Sequence, residues 1–338
     1  MNSQQLELAE KREGEEILAD RIELQQHFLK DSVTMLAYRD AFRNTQHLFK
    51  GKTVLDVGCG MGLLSLFAAK AGAAKVIAIE ESVLADSAKQ IMLDNRWNGV
   101  VQIIKDSIVK VRLPAGIEKV DIIISNWMGQ CLYSNSLYHH VLFARDIWLK
   151  RNGLVFPKLA NLYIAGITDN GHRDKCMDLW KNVQGFNLSC VGKKVTKNAV
   201  IDCVTIHQIL TNSCVVNTVD MRIMRNKPLQ FRSGFKLKVQ HSGDINAFVI
   251  YFDVSFPVSE TRPTVTFSTS PRSPVTHWKQ TVLYLDKPIS ALENECVNGF
   301  FGIMPSAQGG NATDFELSVA FNGSVCKLYK HQKIYSFS

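Results

Sequence analysis

The sequence predicts two successive folding units, a doubly wound α/β unit followed by a mainly antiparallel β unit. Three observations carry that prediction. Between about residues 50 and 150, short β-branched runs alternate with helical stretches, which is the pattern of a parallel sheet covered on both faces. A glycine-rich turn follows the first of those runs. Beyond Pro157 the hydrophobic period falls to two, and turn residues separate the runs. At 338 residues and 46% hydrophobic, the chain has material for about two cores.

Taken in order, Leu18, Ile22 and Leu29 lie among charges and predict one or two amphipathic helices before residue 50. Strands are expected at 53–57, 75–79, 101–104 and 120–125, with helices at 63–71 and 83–95 between the first three. The α/β unit is expected to close near Phe156-Pro157, so that the chain divides into 1–50, 51–157 and 158–338. In the last part, 235–239, 247–254, 264–268, 281–285 and 315–321 read as strands of a barrel or sandwich, with Asn322-Gly323 as a turn. The exception is 171–186, where Met177, Trp180 and Val183 fall at helical spacing.

Composition narrows the class of function. No apolar run approaches the roughly 18 residues that span a bilayer, and the charged first thirty residues lack the apolar core of a signal peptide. The eight cysteines are scattered, with no C-x-x-C pair and no zinc-type histidine spacing. They read as reduced thiols, in keeping with a cytoplasmic or nuclear protein and no metal site. His139 and His140 are helix neighbours that face different ways, which argues against a shared metal. The net charge of +8 favours acidic partners over basic ones. Lys193-Lys194 with Lys197 is the densest basic cluster of the second half and reads as a solvated loop, since no aromatic-interleaved nucleic-acid motif accompanies it.

The glycine-rich turn is Val54-Leu55-Asp56-Val57-Gly58-Cys59-Gly60-Met61-Gly62. Gly58, Gly60 and Gly62 let a ligand approach the backbone, and Glu80, at the end of the next strand, stands where such folds carry a ribose-binding carboxylate. Asp56 would repel a pyrophosphate. S-adenosylmethionine has no phosphate and carries a cationic amine and sulfonium, so the chemistry favours a methyltransferase over a dehydrogenase. A nucleotide-type fold without ligand stays open.

A second motif is the polar turn from Ser125 to Asn135, which follows the apolar run Asp121-Ile122-Ile123-Ile124. Asn126 and Asn135 each bring one acceptor, two donors and no charge.

Residues from about 29 to 338 resemble the type I protein arginine methyltransferases. The resemblance rests on residues 54–80, the frame Ser125-x-Trp127-Met128-Gly129, Ala144-Arg145-Asp146-x-Trp148-Leu149, and Phe267-Ser268-Thr269-Ser270-Pro271 followed by Thr276-His277-Trp278-Lys279-Gln280-Thr281. It implies a Rossmann-like S-adenosylmethionine domain, an antiparallel β-barrel, and a helical dimerisation arm at about 168–187. It also implies that Asn126 and Asn135 occupy the positions of two substrate-gripping glutamates, and that His277 pairs with Asp31. By the same resemblance Thr34 falls where the family has an arginine for the cofactor carboxylate, and Val109 where it has a glutamate near the adenine. The aromatic cover of the cofactor is missing, because no Phe, Trp or Tyr precedes Phe28. Three functions follow as expectations: a silent relative that supports an active homologue in a homo- or heterodimer, an active arginine methyltransferase on arginine-rich proteins, or a methyltransferase for a less cationic acceptor.

Overall fold

The computed structural model describes residues 18–169, 171, 180, 182–188, 198–257, 264–306 and 312–337. The chain begins with helices at 18–30 (α1), Ser32–Asn44 (α2) and Gln46–Phe49 (α3). Strands β1 (Thr53–Val57), β2 (Lys75–Glu80) and β3 (Val101–Lys105) then alternate with helices α4 (Leu63–Lys70) and α5 (Leu84–Asp94). β4 (Val120–Ile124), α6 (Tyr138–Trp148) and β5 (Leu149–Phe156) complete a five-stranded parallel sheet of order β3-β2-β1-β4-β5.

Val54, Leu55 and Val57 of β1 and Ile122, Ile123 and Ile124 of β4 are all buried, as expected of central strands covered on both faces. The strand order reverses between β1 and β4. In such sheets a crevice opens beyond the carboxyl ends of the strands at the reversal, and both sequence motifs lie there. The Ser125 hydroxyl donates to the Val57 carbonyl at 2.7 Å, which ties those two strand ends together.

The remaining strands are β6 (Leu159–Ile167), β7 (Val200–Asp202), β8 (Cys214–Asp220), β9 (Phe231–Lys238), β10 (Gly243–Ser255), β11 (Thr266–Ser268), β12 (Gln280–Ala291), β13 (Cys296–Pro305), β14 (Thr313–Phe321) and β15 (Tyr329–Ser336). They pair antiparallel in two sheets, β7-β12-β10-β6-β8 with β11 on β10, and β15-β14-β13-β9. β6, β7, β8, β13 and β15 escape the sequence reading, as does β5 of the parallel sheet. Adjacent Phe300 and Phe301 with Gly299 and Gly302 blur the alternation of β13, and Lys330, His331 and Lys333 make β15 look like a solvated loop. Much of the expected helical segment, residues 172–179 and 181, lies outside the described residues, as do Lys193, Lys194 and Lys197. Trp180 is helical, whereas Val183 bridges to Phe186. Among the described residues no helix is long and apolar enough to cross a membrane.

An aromatic seam joins the two units. Tyr38 and Phe42 on α2 are buried and meet Phe256 at 4.9 Å and Phe156 at 5.6 Å between ring centroids. Phe49 of α3 packs on Phe156 at 5.1 Å. The seam holds α2 against both sheets, and α2 carries Asp31 at its N-terminus into the site.

Candidate active site

The glycine loop leaves β1 with Gly58, Gly60 and Gly62 at φ of 68, 53 and 83°, the left-handed region that glycine adopts without cost. Glu80, at the end of β2, stiffens the loop. Its two carboxylate oxygens accept from the backbone N–H groups of Gly60 at 2.8 Å and Ser82 at 3.0 Å. Asp56 is fully buried and takes the Ser65 hydroxyl at 2.6 Å on one oxygen, while the other has no partner. Burial pushes its carboxyl up to about 7, helped by the nearby negative charge of Glu80 and opposed by the Ser65 hydrogen bond. A buried carboxylate oxygen left open in this way is ready for a cationic donor.

A crevice of about 460 Å³ lies over the loop. Glu80, Asp106, Asn126, Asn135, Leu137 and His140 are among its lining residues, together with Arg21, Leu24 and Gln25 of α1. Gln25 reaches so close to Gly60 that an added Cβ there would meet its carboxamide oxygen at 2.8 Å, and a Cβ on Gly58 would meet Leu137 Cδ1 at 2.3 Å. The chain's own amide and aliphatic side chains therefore cover the loop, in place of aromatic rings.

The polar turn after β4 forms a tight hairpin. Gly129 bridges to Leu132 and Gln130 to Ser134, and Leu137 N–H returns to the Trp127 carbonyl at 2.9 Å. Trp127, Cys131, Leu132 and Tyr133 are buried beneath it. Cys131, Leu132 and Asn135 have φ of 49, 72 and 54°. Each non-glycine residue in that region stores about 1–3 kcal/mol, which persists only where packing over-determines the backbone. The hairpin is thus a rigid mount that carries Asn126 and Asn135 into one crevice. Tyr38 fixes its entry by donating to the Ser125 carbonyl at 2.9 Å, with Asn126 Oδ1 a weaker acceptor at 3.4 Å.

Asn126 also lines a second cavity of about 210 Å³ that His277 closes from the barrel side. Asp31 holds this end together. It accepts the His277 backbone N–H at 2.9 Å and lies 2.7 Å from its ring Nδ1. It also accepts the Thr34 N–H at 3.0 Å and the Thr34 hydroxyl at 2.8 Å. Burial raises the Asp31 carboxyl, but the hydrogen bonds from His277 and Thr34 outweigh burial and hold it below the usual carboxylate value. An ionised Asp31 only accepts, so Nδ1 carries the proton that points at it. The ring lies tilted against Trp278 and edge-on to Phe28, with centroids 3.8 and 5.8 Å apart.

Of the sequence-derived residues, Gly58, Glu80, Asn126, Asn135 and His277 line the crevice or the cavity beside it and Asp31 holds His277, whereas Asp56, Gly60 and Gly62 are not among the lining residues. Two positions behave differently from the resemblance. Thr34 is fully buried with both polar atoms engaged by Asp31, so it serves as part of an N-cap. Val109 is 55% exposed and is not among the residues lining the crevice, whereas Asp106 of the same loop is. Gln25, Asp106 and Leu137 escaped the sequence reading because nothing in their local pattern marks them, and His140 enters that reading only as a helix neighbour of His139. His139 and His140 do diverge as expected, the first reaching Asn226 at 3.3 Å and the second entering the crevice.

A reversed parallel sheet with an acidic glycine-loop crevice, followed by an antiparallel β unit, is the architecture of a two-part methyltransferase. The model of the ribosomal protein L11 methyltransferase family matches residues 37–144, and that of the arginine methyltransferase oligomerization subdomain matches 158–324. The chain is 41% identical to Protein arginine N-methyltransferase 1 of Caenorhabditis elegans over 90% of its length and 87% of the relative's. It is 40% identical to Protein arginine N-methyltransferase 1.1 of Arabidopsis thaliana over 91% and 78%. Among solved structures it superposes on a chain of the Trypanosoma brucei PRMT1 enzyme-prozyme heterotetrameric complex with AdoHcy. That match has a TM-score of 0.89 and 36% identity, covering 93% of this chain and 98% of that one. Arabidopsis thaliana protein arginine methyltransferase 10 matches with a TM-score of 0.82 and 29% identity, covering 93% and 97%. The chain belongs to the protein arginine methyltransferase family.

Proposed function

We propose that this chain is a family member with weak or absent arginine methylation that acts by supporting an active homologue in a heteromer. The observation that carries the reading is the pair of neutral amides, Asn126 and Asn135, at the mouth of the crevice. A guanidinium entering there meets no carboxylate fork from the hairpin, so its charge is neither paired nor localised and its nitrogen is not aimed. Preorganised charge is the larger part of such catalysis, and neutral amides supply little of it.

The cofactor end is better equipped. Asp56 offers its open oxygen to an amine, and Glu80 has lone pairs beyond its two backbone donors for a ribose diol. S-adenosylmethionine, when held there, would supply an electrophilic methyl group. Thr34 offers no positive charge to its carboxylate, and loss of such a partner costs roughly 2–5 kcal/mol. We therefore read cofactor affinity as weak. The intact Asp31–His277 pair beside the amides favours one further reading, transfer to a neutral acceptor. The Trypanosoma brucei relative assembles as an enzyme with a prozyme, which supports the heteromer reading here. The charge and the scattered thiols go with a cytoplasmic or nuclear location.

The test is an assay with radiolabelled methyl donor and arginine-rich peptides, run on the chain alone and mixed with an active family member. The reading expects background counts alone and raised turnover in the mixture. Methylated guanidino product at an ordinary enzymatic rate from the chain alone would overturn it.

A further inference from the structure

Outside the crevice, the outward face of the β9-β13-β14-β15 sheet brings together features that the sequence keeps apart. Residues 221–243 hold six cations, Arg222, Arg225, Lys227, Arg232, Lys236 and Lys238, and neither Asp nor Glu. All six are exposed, and Arg232, Lys236 and Lys238 project from one face of β9, because they share the strand's alternation. In the next strand the residue opposite Gly234 is Phe300, an aromatic side chain that is 46% exposed. Its neighbours across the sheet are small, Gly234 on one side and Ser318 on the other. Arg232 places its guanidinium carbon 4.4 Å from the Phe300 ring centroid.

The acids on this face are already engaged. Glu316 pairs with Arg232 at 3.2 Å, and Asp314 accepts from the Ser336 hydroxyl at 2.8 Å. The adjacent row across the sheet runs Lys236, Asn298, Ala320, Lys330, with a cation at each end. An exposed ring and guanidinium beside the exposed Lys236 and Lys238 is the combination that binds an unpaired nucleic-acid strand. Bases stack on the aromatic and guanidinium planes, and phosphates follow the cations.

We propose that this sheet face is a binding platform for single-stranded nucleic acid, with Phe300 and Arg232 as the stacking element and Lys236 and Lys238 as backbone contacts. The platform is separate from the methyltransferase crevice, so it stands or falls independently of the function proposed above. Its charge complements a polyanion, and the exposed pair of ring and guanidinium distinguishes an unpaired strand from a duplex, whose bases are already stacked.

Fluorescence anisotropy with a fluorescein-labelled oligouridylate of about 16 nucleotides, the upper span of comparable platforms, tests it on the full chain. Binding is expected to weaken steeply with salt. Phe300→Ala and Phe300→Leu should each weaken it about tenfold, while Phe300→Tyr retains it. Lys236→Glu with Lys238→Glu should weaken binding and lower the logarithmic salt slope by about 1.4, two contacts at about 0.7 each. Circular dichroism of each variant checks that the sheet is intact, and Phe300→Leu keeps the test decisive if the alanine variant unfolds. The proposal is overturned by no anisotropy change at low salt, by equal affinity for a duplex of the same length, or by Phe300→Leu binding like the unaltered chain. Displacement of the strand by polyglutamate at equal charge concentration would overturn it in favour of an acidic protein partner.

Discussion

The two ends of the crevice differ in charge while sharing a scaffold. At the glycine-loop end Glu80 and Asp106 line the crevice with carboxylates and Asp56 lies fully buried in β1, with Asp56 and Glu80 positioned by hydrogen bonds from Ser65, Gly60 and Ser82. At the hairpin end, on an equally rigid mount, the crevice receives the carboxamides of Asn126 and Asn135. The difference teaches that the rigidity of a mount does not depend on the charge it carries, because the mount is held by buried residues such as Trp127, Leu132 and Tyr133. Packing and chemistry are separate demands on the same hairpin.

The largest effect that would sharpen this contrast is at Asp56. Asp56→Ala is expected to weaken S-adenosylmethionine binding by about 2–5 kcal/mol, since it removes a buried charged partner. Titration calorimetry above pH 7 reads this directly, and an unchanged heat would mean that the acidic end is no more a binding site than the neutral one.

Asp31 links the two ends through α2 and His277. Asp31→Ala should lower unfolding stability by about 3 kcal/mol, because it strands the donors of Thr34 and His277 in a buried setting. Denaturant unfolding at neutral pH measures the loss. Because the Asp31 carboxyl is held low in the folded chain, its contribution is present above the ordinary carboxylate value and disappears as acid protonates it. A loss that stays constant down to pH 3 would contradict this assignment.

Asp56 has the opposite sign. Its carboxyl is pushed up to about 7 in the fold, so between about pH 4 and 7 the folded chain keeps a proton that the unfolded chain has released. Stability from this group therefore falls as pH rises through that window, by at most about 1.4 kcal/mol per unit, and levels off above it. Asp56→Asn should flatten the slope in thermal unfolding between pH 5 and 8. A cationic ligand on Asp56 expels the proton, so cofactor affinity should rise with pH to about 7 and then level.

The smallest expected change comes from adding charge to the neutral end. Asn126→Glu with Asn135→Glu should alter stability by less than about 1 kcal/mol, as Asn135 is exposed and Asn126 half-buried. Arginine methylation by the chain alone should stay below about tenfold over background, because Thr34 is committed to Asp31 and provides no cofactor counter-charge. Robust turnover in that double variant would break the contrast, since it would make the two amides the sole defect.

Much of this site was legible in the sequence. Asp56, the glycines and Glu80 lie in one local strand-turn-helix-strand pattern, and the roles proposed for them rest on chemistry at fixed spacing. Asn126 and Asn135 lie nine positions apart in a single hairpin. The rest was not legible, because it arises between elements. Gln25 on Gly60 and Leu137 on Gly58 are contacts between segments more than thirty residues apart, made by side chains without a distinguishing pattern. The engagement of Thr34 depends on the direction in which α2 leaves its cap.

By itself the sequence determined the alternation of strands and helices through the first three strands of the α/β unit, the β character of the second unit, and the neutral amides at Asn126 and Asn135 of the hairpin, because periodicity and side-chain chemistry are local properties. Only the tertiary structure decided which groups share a cavity, that Asp31 is saturated by Thr34 and His277, and that Phe300 meets the cations of β9 across a strand pair. Those outcomes depend on sheet order, register and burial, and these are fixed by packing among distant segments.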